Sequence, residues 1–248
     1  IVGAPVDVGA FGRPGARNGP DLMRAAFPFS RHPDNDDSEI LVDVDFRRKY
    51  RITDLKISDL GDVVWVPGES ANSFGARLSV VADRVFASGR TLVCLGGDHS
   101  VSHFTLSSAL RSHERLGIVH FDAHADLAFF DGNVHHANPF TFALDDERVA
   151  VIKQVGLRTF VQKSQGVEAN PKVTCVTARE VQGMTPEDVF GDLPSDIPYY
   201  MSFDVDCLSP MVAPETGTPA IGGLQYYQTL ELLDYLFHHR TVVGADFV

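Results

Sequence analysis

The chain has 248 residues, 44% hydrophobic and 22% charged, with 33 Asp plus Glu against 21 Lys plus Arg and a net charge of −12. This is ordinary globular usage, long enough for one large α/β domain or two small ones. The acidic balance argues against nucleic acid or an anionic membrane as the main partner and favours approach of a cationic ligand. No run of about 18 apolar residues is present, so no membrane span is expected. Cys94, Cys175 and Cys207 are odd in number and widely spaced, which reads as reduced thiols and not a disulfide framework. A cytoplasmic protein is expected.

Residues 1–6 are apolar and predict a first strand. A Gly/Arg/Pro-rich loop over 9–20 leads into a helix over 20–26, with Pro20 in its first turn. The polar, acidic stretch 30–39 predicts an exposed loop. Short strands are expected over 40–44 and 60–64. Phe74, Leu78, Val81, Ala82, Val85 and Phe86 recur at helical spacing, so 73–88 predicts a helix that stops at Gly89. A strand over 91–95, a helix over 101–110 and a strand over 116–120 follow. Residues 127–139 have no clear period. Strands over 149–155, 173–176, 199–203 and 241–248, with helices over 186–190 and 225–238, complete the chain. This alternation predicts one mostly parallel, doubly wound sheet.

Three of the apolar runs end in the same kind of residue. Residues 91–95 run into Gly96-Gly97-Asp98-His99-Ser100, residues 116–120 into Phe121-Asp122-Ala123-His124-Ala125-Asp126, and residues 199–203 into Asp204-Val205-Asp206. In an extended segment, positions two apart point the same way, so Asp122, His124 and Asp126 are expected on one side. A lone Asp-x-Asp after a strand is usually a solvated loop or a helix cap. Three such ends on neighbouring parallel strands instead open on one crevice, where α/β sheets bind ligands. His99, Asp122, His124, Asp126, Asp204 and Asp206 are too many charges to bury without cations. They suit two divalent ions sharing carboxylates. Oxygen-rich ligation favours manganese, while imidazole leaves zinc, nickel or iron open.

These three motifs resemble the signatures of the ureohydrolase family, which includes arginase, agmatinase, guanidinobutyrase and formimidoglutamase. The resemblance runs from Ile1-Val2-Gly3-Ala4-Pro5 and the segment from Arg13 to Pro20 through Gly217-Thr218-Pro219 and Gly222-Gly223-Leu224 to the last strand. It implies a three-layer α/β/α fold (arginase-like), read here as a single domain over 1–248 truncated at both ends. It also implies two Mn2+ per subunit and hydrolysis of a guanidino C–N bond by a metal-bridging hydroxide, releasing urea and an amine. By the family pattern His99 binds one ion, His124 and Asp206 the other, and Asp122 and Asp204 both. Asp126 binds the first ion and takes a hydrogen bond from the hydroxide; Asp98 is structural. His136 or His135 protonates the leaving amine, with His136 preferred from the spacing to Pro139-Phe140.

Further expectations rest on the same resemblance. Asn133 and Glu215 are candidate substrate contacts, and a Glu that grips the guanidinium is expected just past Val248. Ala128, Phe129 and Phe130 stand where arginase has the polar set that holds an amino acid head group. Free L-arginine is therefore a poor fit, which leaves agmatine, a guanidino acid or an arginine in a larger molecule. The partners expected are a small cationic guanidino substrate and, by analogy with the family, further copies of the chain in a trimer or hexamer. The alternatives are a two-metal phosphoesterase, for which the Asp-x-His and Asp-x-Asp pairs stand in the wrong order; an inactive assembly subunit; and a deacetylase-like amidohydrolase, which needs one metal and leaves the second ligand set unused.

Overall fold

The computed structural model describes residues 1–26, 40–51, 54–160 and 170–248. The loop expected over 30–39 lies outside them. In chain order the elements are Val2–Gly3 (β1), Gly19–Ala26 (α1), Ile40–Asp43 (β2), Arg48–Arg51 (β3), Ala71–Ala87 (α2), Leu92–Leu95 (β4), Val101–Ser112 (α3), Leu116–Phe121 (β5), Val149–Leu157 (β6), Val173–Thr177 (β7), Ala178–Val181 (α4), Pro186–Phe190 (α5), Pro198–Phe203 (β8), Tyr226–His239 (α6) and Thr241–Phe247 (β9).

Seven strands among the described residues form one parallel sheet in the order β1-β4-β9-β8-β5-β6-β7. The strands are buried on both faces, which is why β5 and β8 read as continuous apolar runs and not as alternation. On one face Ile118 and Tyr200 pack with Phe74, Leu78, Leu106 and Leu110 of α2 and α3. On the other, Val119, Phe121, Tyr199 and Met201 pack with Val181, Val189, Phe190, Leu232 and Leu236 of α4, α5 and α6. The result is the three-layer α/β/α sandwich expected.

Three local readings are corrected. Residues 60–64 do not form a strand. They run beside β1 through Leu60 N–H to Ile1 O, Gly3 N–H to Gly61 O and Val63 N–H to Gly3 O, each 2.9 Å. Gly61, at φ 76°, breaks the extended path and leaves a single bridge, Gly3 to Asp62. The hairpin of β2 and β3 was half expected: β3, Arg-Lys-Tyr-Arg, has no apolar alternation to announce it. And β4 is not a direct neighbour of β8, because β9 lies between them.

The carboxyl ends of β4, β5 and β8 nevertheless open on the same edge of the sheet, as parallel pairing requires. The loop after β4 is clamped against the loop after β1. Asp98 N–H donates to Val6 O at 2.8 Å, and a Cβ on Gly97 would stand 1.7 Å from that same oxygen, so only glycine permits the approach.

Candidate metal centre

Each ligand loop is shaped by its own carboxylates. Asp98 accepts the Gly9 and Ser100 amides at 2.8 and 2.9 Å and so ties the β4 loop in place. Asp204 Oδ1 accepts the Asp206 amide at 2.8 Å and starts a tight turn, Val205–Cys207. After β5 the chain does not continue extended, contrary to the alternation argument. The His124 amide donates to Asp122 Oδ1 at 2.6 Å and Ala123 N–H to Asp206 Oδ1 at 3.0 Å. Asp126 is left-handed, at φ 51°, a conformation uncommon outside glycine and held by surrounding structure. The turn, and not the strand's alternation, brings the three side chains together.

His99, Asp122, His124, Asp126, Asp204 and Asp206 converge. His99 Nδ1 faces Asp126 Oδ2 at 2.9 Å and the Oδ2 atoms of Asp122 and Asp204 at 3.2 Å each. His124 Nδ1 faces Asp206 Oδ2 at 3.1 Å and Asp122 Oδ1 at 3.3 Å. The two oxygens of Asp122 are thus divided between two histidine–carboxylate groups, the arrangement of a carboxylate shared by two ions. Asp204 contacts the His99 group through Oδ2.

The bonding network tells which nitrogen of His99 carries the proton. Ser202 Oγ–H donates to the buried Asp246 at 2.6 Å, so that hydroxyl accepts from His99 Nε2, 2.8 Å away. The neutral ring then has a bare lone pair on Nδ1. That atom is buried without a hydrogen-bond partner while three carboxylate oxygens surround it. Lone pairs aimed at one another across 3 Å repel; aimed at a cation they bind it. The donor set fits a divalent ion of borderline-to-hard character, and the two groups of acceptors fit a pair.

The charge balance points the same way. Burial, then Asp206 and Asp122, push Asp204 up to about 7. Burial, then Asp122, push Asp126 up to about 6. Burial lowers His124, but hydrogen bonds to Asp122 and Asp206 outweigh it and raise the ring to about 11. Burial likewise opposes, and three carboxylates overcome, the charging of His99, whose pKa stands well above its ordinary value. Without cations the cluster holds protons, and ligands must lose theirs to bind metal. Loading manganese at pH 6 to 7 is therefore expected to release protons, more than one per chain. The share from Asp126 and Asp204 fades as pH rises above about 7, where both are already ionised. Calorimetric titration in buffers of different ionisation enthalpy measures this; binding without proton release at pH 6 would place the ion elsewhere.

A profile described as the Arginase family matches residues 1–248. An agmatinase of Edwardsiella ictaluri (strain 93-146) is 34% identical over 260 residues, covering all of this chain and 78% of the relative. The crystal structure of a hypothetical agmatinase from Burkholderia thailandensis superposes with a TM-score of 0.83 at 28% identity, covering all of this chain and 75% of the other. The proclavaminate amidino hydrolase of Streptomyces clavuligerus superposes with a TM-score of 0.80 at 29% identity, covering 99% of this chain and 80% of that one.

The chain belongs to the arginase family.

In this arginase-family chain the remaining candidates separate by position. A cleft of about 570 Å³ is lined by His99, Asp204, His136, Glu215, Asn18 and Met23, among others. His136 is on its wall. The Phe11 amide donates to His136 Nε2 at 3.3 Å, so the neutral ring carries its proton on Nδ1. Burial and the imidazoles of His99, His135 and His124 hold His136 down to about 4. His135 is not among the lining residues; its Nδ1 accepts the Ala137 amide at 3.2 Å. Asn133 is exposed and is not among the lining residues, and its backbone carbonyl accepts from Asn138. Glu215 is exposed at the cleft.

The sequence reading overlooked His120, Gln154, Ser202 and Asp246, all fully buried polar groups behind the candidate ligands. The signal was present: each is a polar residue inside an otherwise apolar strand, which must find a partner.

Proposed function

We propose that this chain is a ureohydrolase that cleaves a guanidino C–N bond, releasing urea and an amine, with two Mn2+ per subunit. The division of the Asp122 oxygens between His99 and His124 carries this reading. His99 and Asp126 would hold one ion and His124 and Asp206 the other, with Asp122 and Asp204 common to both. Two divalent cations, when bound, make water a nucleophile near neutral pH and offset negative charge as it develops. The chain supplies the rest. Asp126 would accept a hydrogen bond from the water that such ions activate. His136, neutral at pH 7 with its proton on Nδ1, relays a proton between solvent and the leaving amine. Glu215 faces the far end of a cationic substrate, and the net charge of −12 draws such a substrate in. Because the curated relatives include agmatinases, agmatine heads the candidates. The protein acts in the cytoplasm as a trimer or hexamer.

Urea release by manganese-loaded full-length protein tests the proposal, on agmatine, L-arginine, guanidinobutyrate, guanidinopropionate and an arginine-containing peptide, with formamide release from a formimino compound alongside. One of the guanidino compounds is expected to turn over. Bound metal with no urea from any of them, and phosphate freed from an aryl phosphate, overturns it.

A further inference from the structure

Two buried side chains stand behind Asp122. His120 on β5 and Gln154 on β6 are register partners on adjacent strands, and neither has measurable exposure. An amide and an imidazole inside apolar strands are costly unless bonded, and here the bonding has one possible direction. Gln154 Nε2 lies 2.6 Å from the Ala125 carbonyl oxygen and 3.0 Å from His120 Nδ1. A carbonyl only accepts, so the amide must turn its NH2 toward it; the flipped amide would set oxygen against oxygen. The second N–H of that group then donates to His120 Nδ1. A ring that accepts at Nδ1 carries its proton on Nε2, and Nε2 lies 2.8 Å from Asp122 Oδ2. The Phe140 ring packs against the imidazole, its centroid 4.3 Å away and its plane tilted by 48°.

His120 stands close enough to Asp122, Asp126 and His99 to pass for a fourth ligand of that group. Its protonation excludes this. Both nitrogens are engaged, and the one facing the cluster presents a proton and not a lone pair. We propose that Gln154 and His120 are positioning residues, a directed hydrogen-bond relay that sets the orientation of the Asp122 carboxylate and occupies one lone pair of Oδ2. Oδ1 is thereby aimed at the His124 group, and Oδ2 keeps its remaining lone pair for the His99 group. The inference rests on the reading of Asp122 as the carboxylate shared by two ions.

Manganese affinity and stoichiometry, by equilibrium dialysis, and the electron paramagnetic resonance of the coupled ion pair provide the test without turnover. His120→Phe keeps the ring and removes the donor. Its manganese affinity is expected to fall about 10- to 100-fold, the range for partners behind metal ligands, with a weakened coupled signal. His120→Gln places an N–H where Nε2 was and is expected to restore most of the affinity. Gln154→Leu, which leaves the imidazole but frees its tautomer, is expected to fall in the same direction as His120→Phe, and it carries the test if that variant does not fold. Two ions bound by both His120→Phe and Gln154→Leu as tightly as by the wild type overturn the relay. So does a His120→Gln loss as deep as that of His120→Phe, since an imidazole ligand and not a donor would then be required. Failure of the wild type to bind two ions would instead remove the shared-carboxylate reading itself.

Discussion

Asp122→Asn is expected to lower kcat/KM by more than about 100-fold, beyond the range for groups that act only through a ligand, while the metal-free protein stays folded. Volume is conserved, so packing around the fully buried site is not the cause. The amide fails in both orientations. With its oxygen toward His120 Nε2, its NH2 meets the His124 amide, a donor that stood 2.6 Å from Oδ1. Turned over, the NH2 meets the proton of His120. Either way one of the two metal-facing oxygens is replaced by a donor. Thermal unfolding with and without manganese separates the effects. A cation at 100 times its dissociation constant stabilises the wild type by about 2.7 kcal/mol, and this increment is expected to vanish in the variant, while the metal-free midpoint falls only by the cost of one buried donor left unpaired, about 1 to 3 kcal/mol. Metal-dependent turnover within tenfold of the wild type would show that Asp122 is not shared between ions.

The parts of this site that could be read from sequence are those where local pattern and chemistry coincide. Ile118 and Val119 pack on opposite faces of the sheet, so β5 had to be apolar throughout, and the polar Asp122, His124 and Asp126 that follow it stand out by contrast. Residues 60–64 show the converse. Of their apolar residues only Val63 is buried beside β1, Leu60 and Val64 being exposed, and Gly61 breaks the strand geometry that the pattern suggested. The convergence of Asp126 with the other candidate ligands was expected for the wrong reason, since a left-handed backbone and the Asp122 and Asp206 carboxylates fold the loop. His120 and Gln154 are 34 residues apart, and Ser202 and Asp246 are 44 apart. Their partnership exists only through strand register, which one-dimensional pattern does not encode. The preference for His136 over His135 rested on the distance to Pro139-Phe140; in the fold His136 is on the cleft wall, tied to the loop after β1 by its own amide to Gly9 O at 3.1 Å and by the Phe11 amide to its Nε2.

Asp246 should matter for stability and for metal at once, and two substitutions separate these roles. The carboxylate is wholly buried on β9 and accepts the Tyr200 hydroxyl at 2.7 Å and the Ser202 hydroxyl at 2.6 Å. Asp246→Leu leaves both donors without their acceptor, at about 1 to 3 kcal/mol for each buried group left unpaired. Tyr200 has a second neighbour, Thr105 Oγ1 at 2.7 Å, to which its proton can turn. Ser202 has two other neighbours, His99 Nε2 at 2.8 Å and, at a much longer 3.4 Å, Ser102 Oγ, so the imidazole is the better partner for its proton. If its proton swings to His99 Nε2, the ring must carry its own proton on Nδ1, and the lone pair that faces Asp122, Asp126 and Asp204 is lost. Manganese affinity is therefore expected to fall about 10- to 100-fold in Asp246→Leu, together with a stability loss of several kcal/mol in chelator. Ser202→Ala removes only the middle link. It strands one N–H, costs about 1 to 3 kcal/mol, and is expected to lower affinity about as far, because His99 is then free to carry its proton on either nitrogen. Asp246→Asn is expected to be the mildest of the three: its oxygen can face Ser202 and its NH2 the Tyr200 hydroxyl, which keeps the His99 tautomer. Denaturant midpoints in chelator, set beside manganese titrations, distinguish the cases. A destabilised Asp246→Leu that binds manganese as tightly as the wild type would mean that the buried carboxylate holds the core together but does not set the proton of His99.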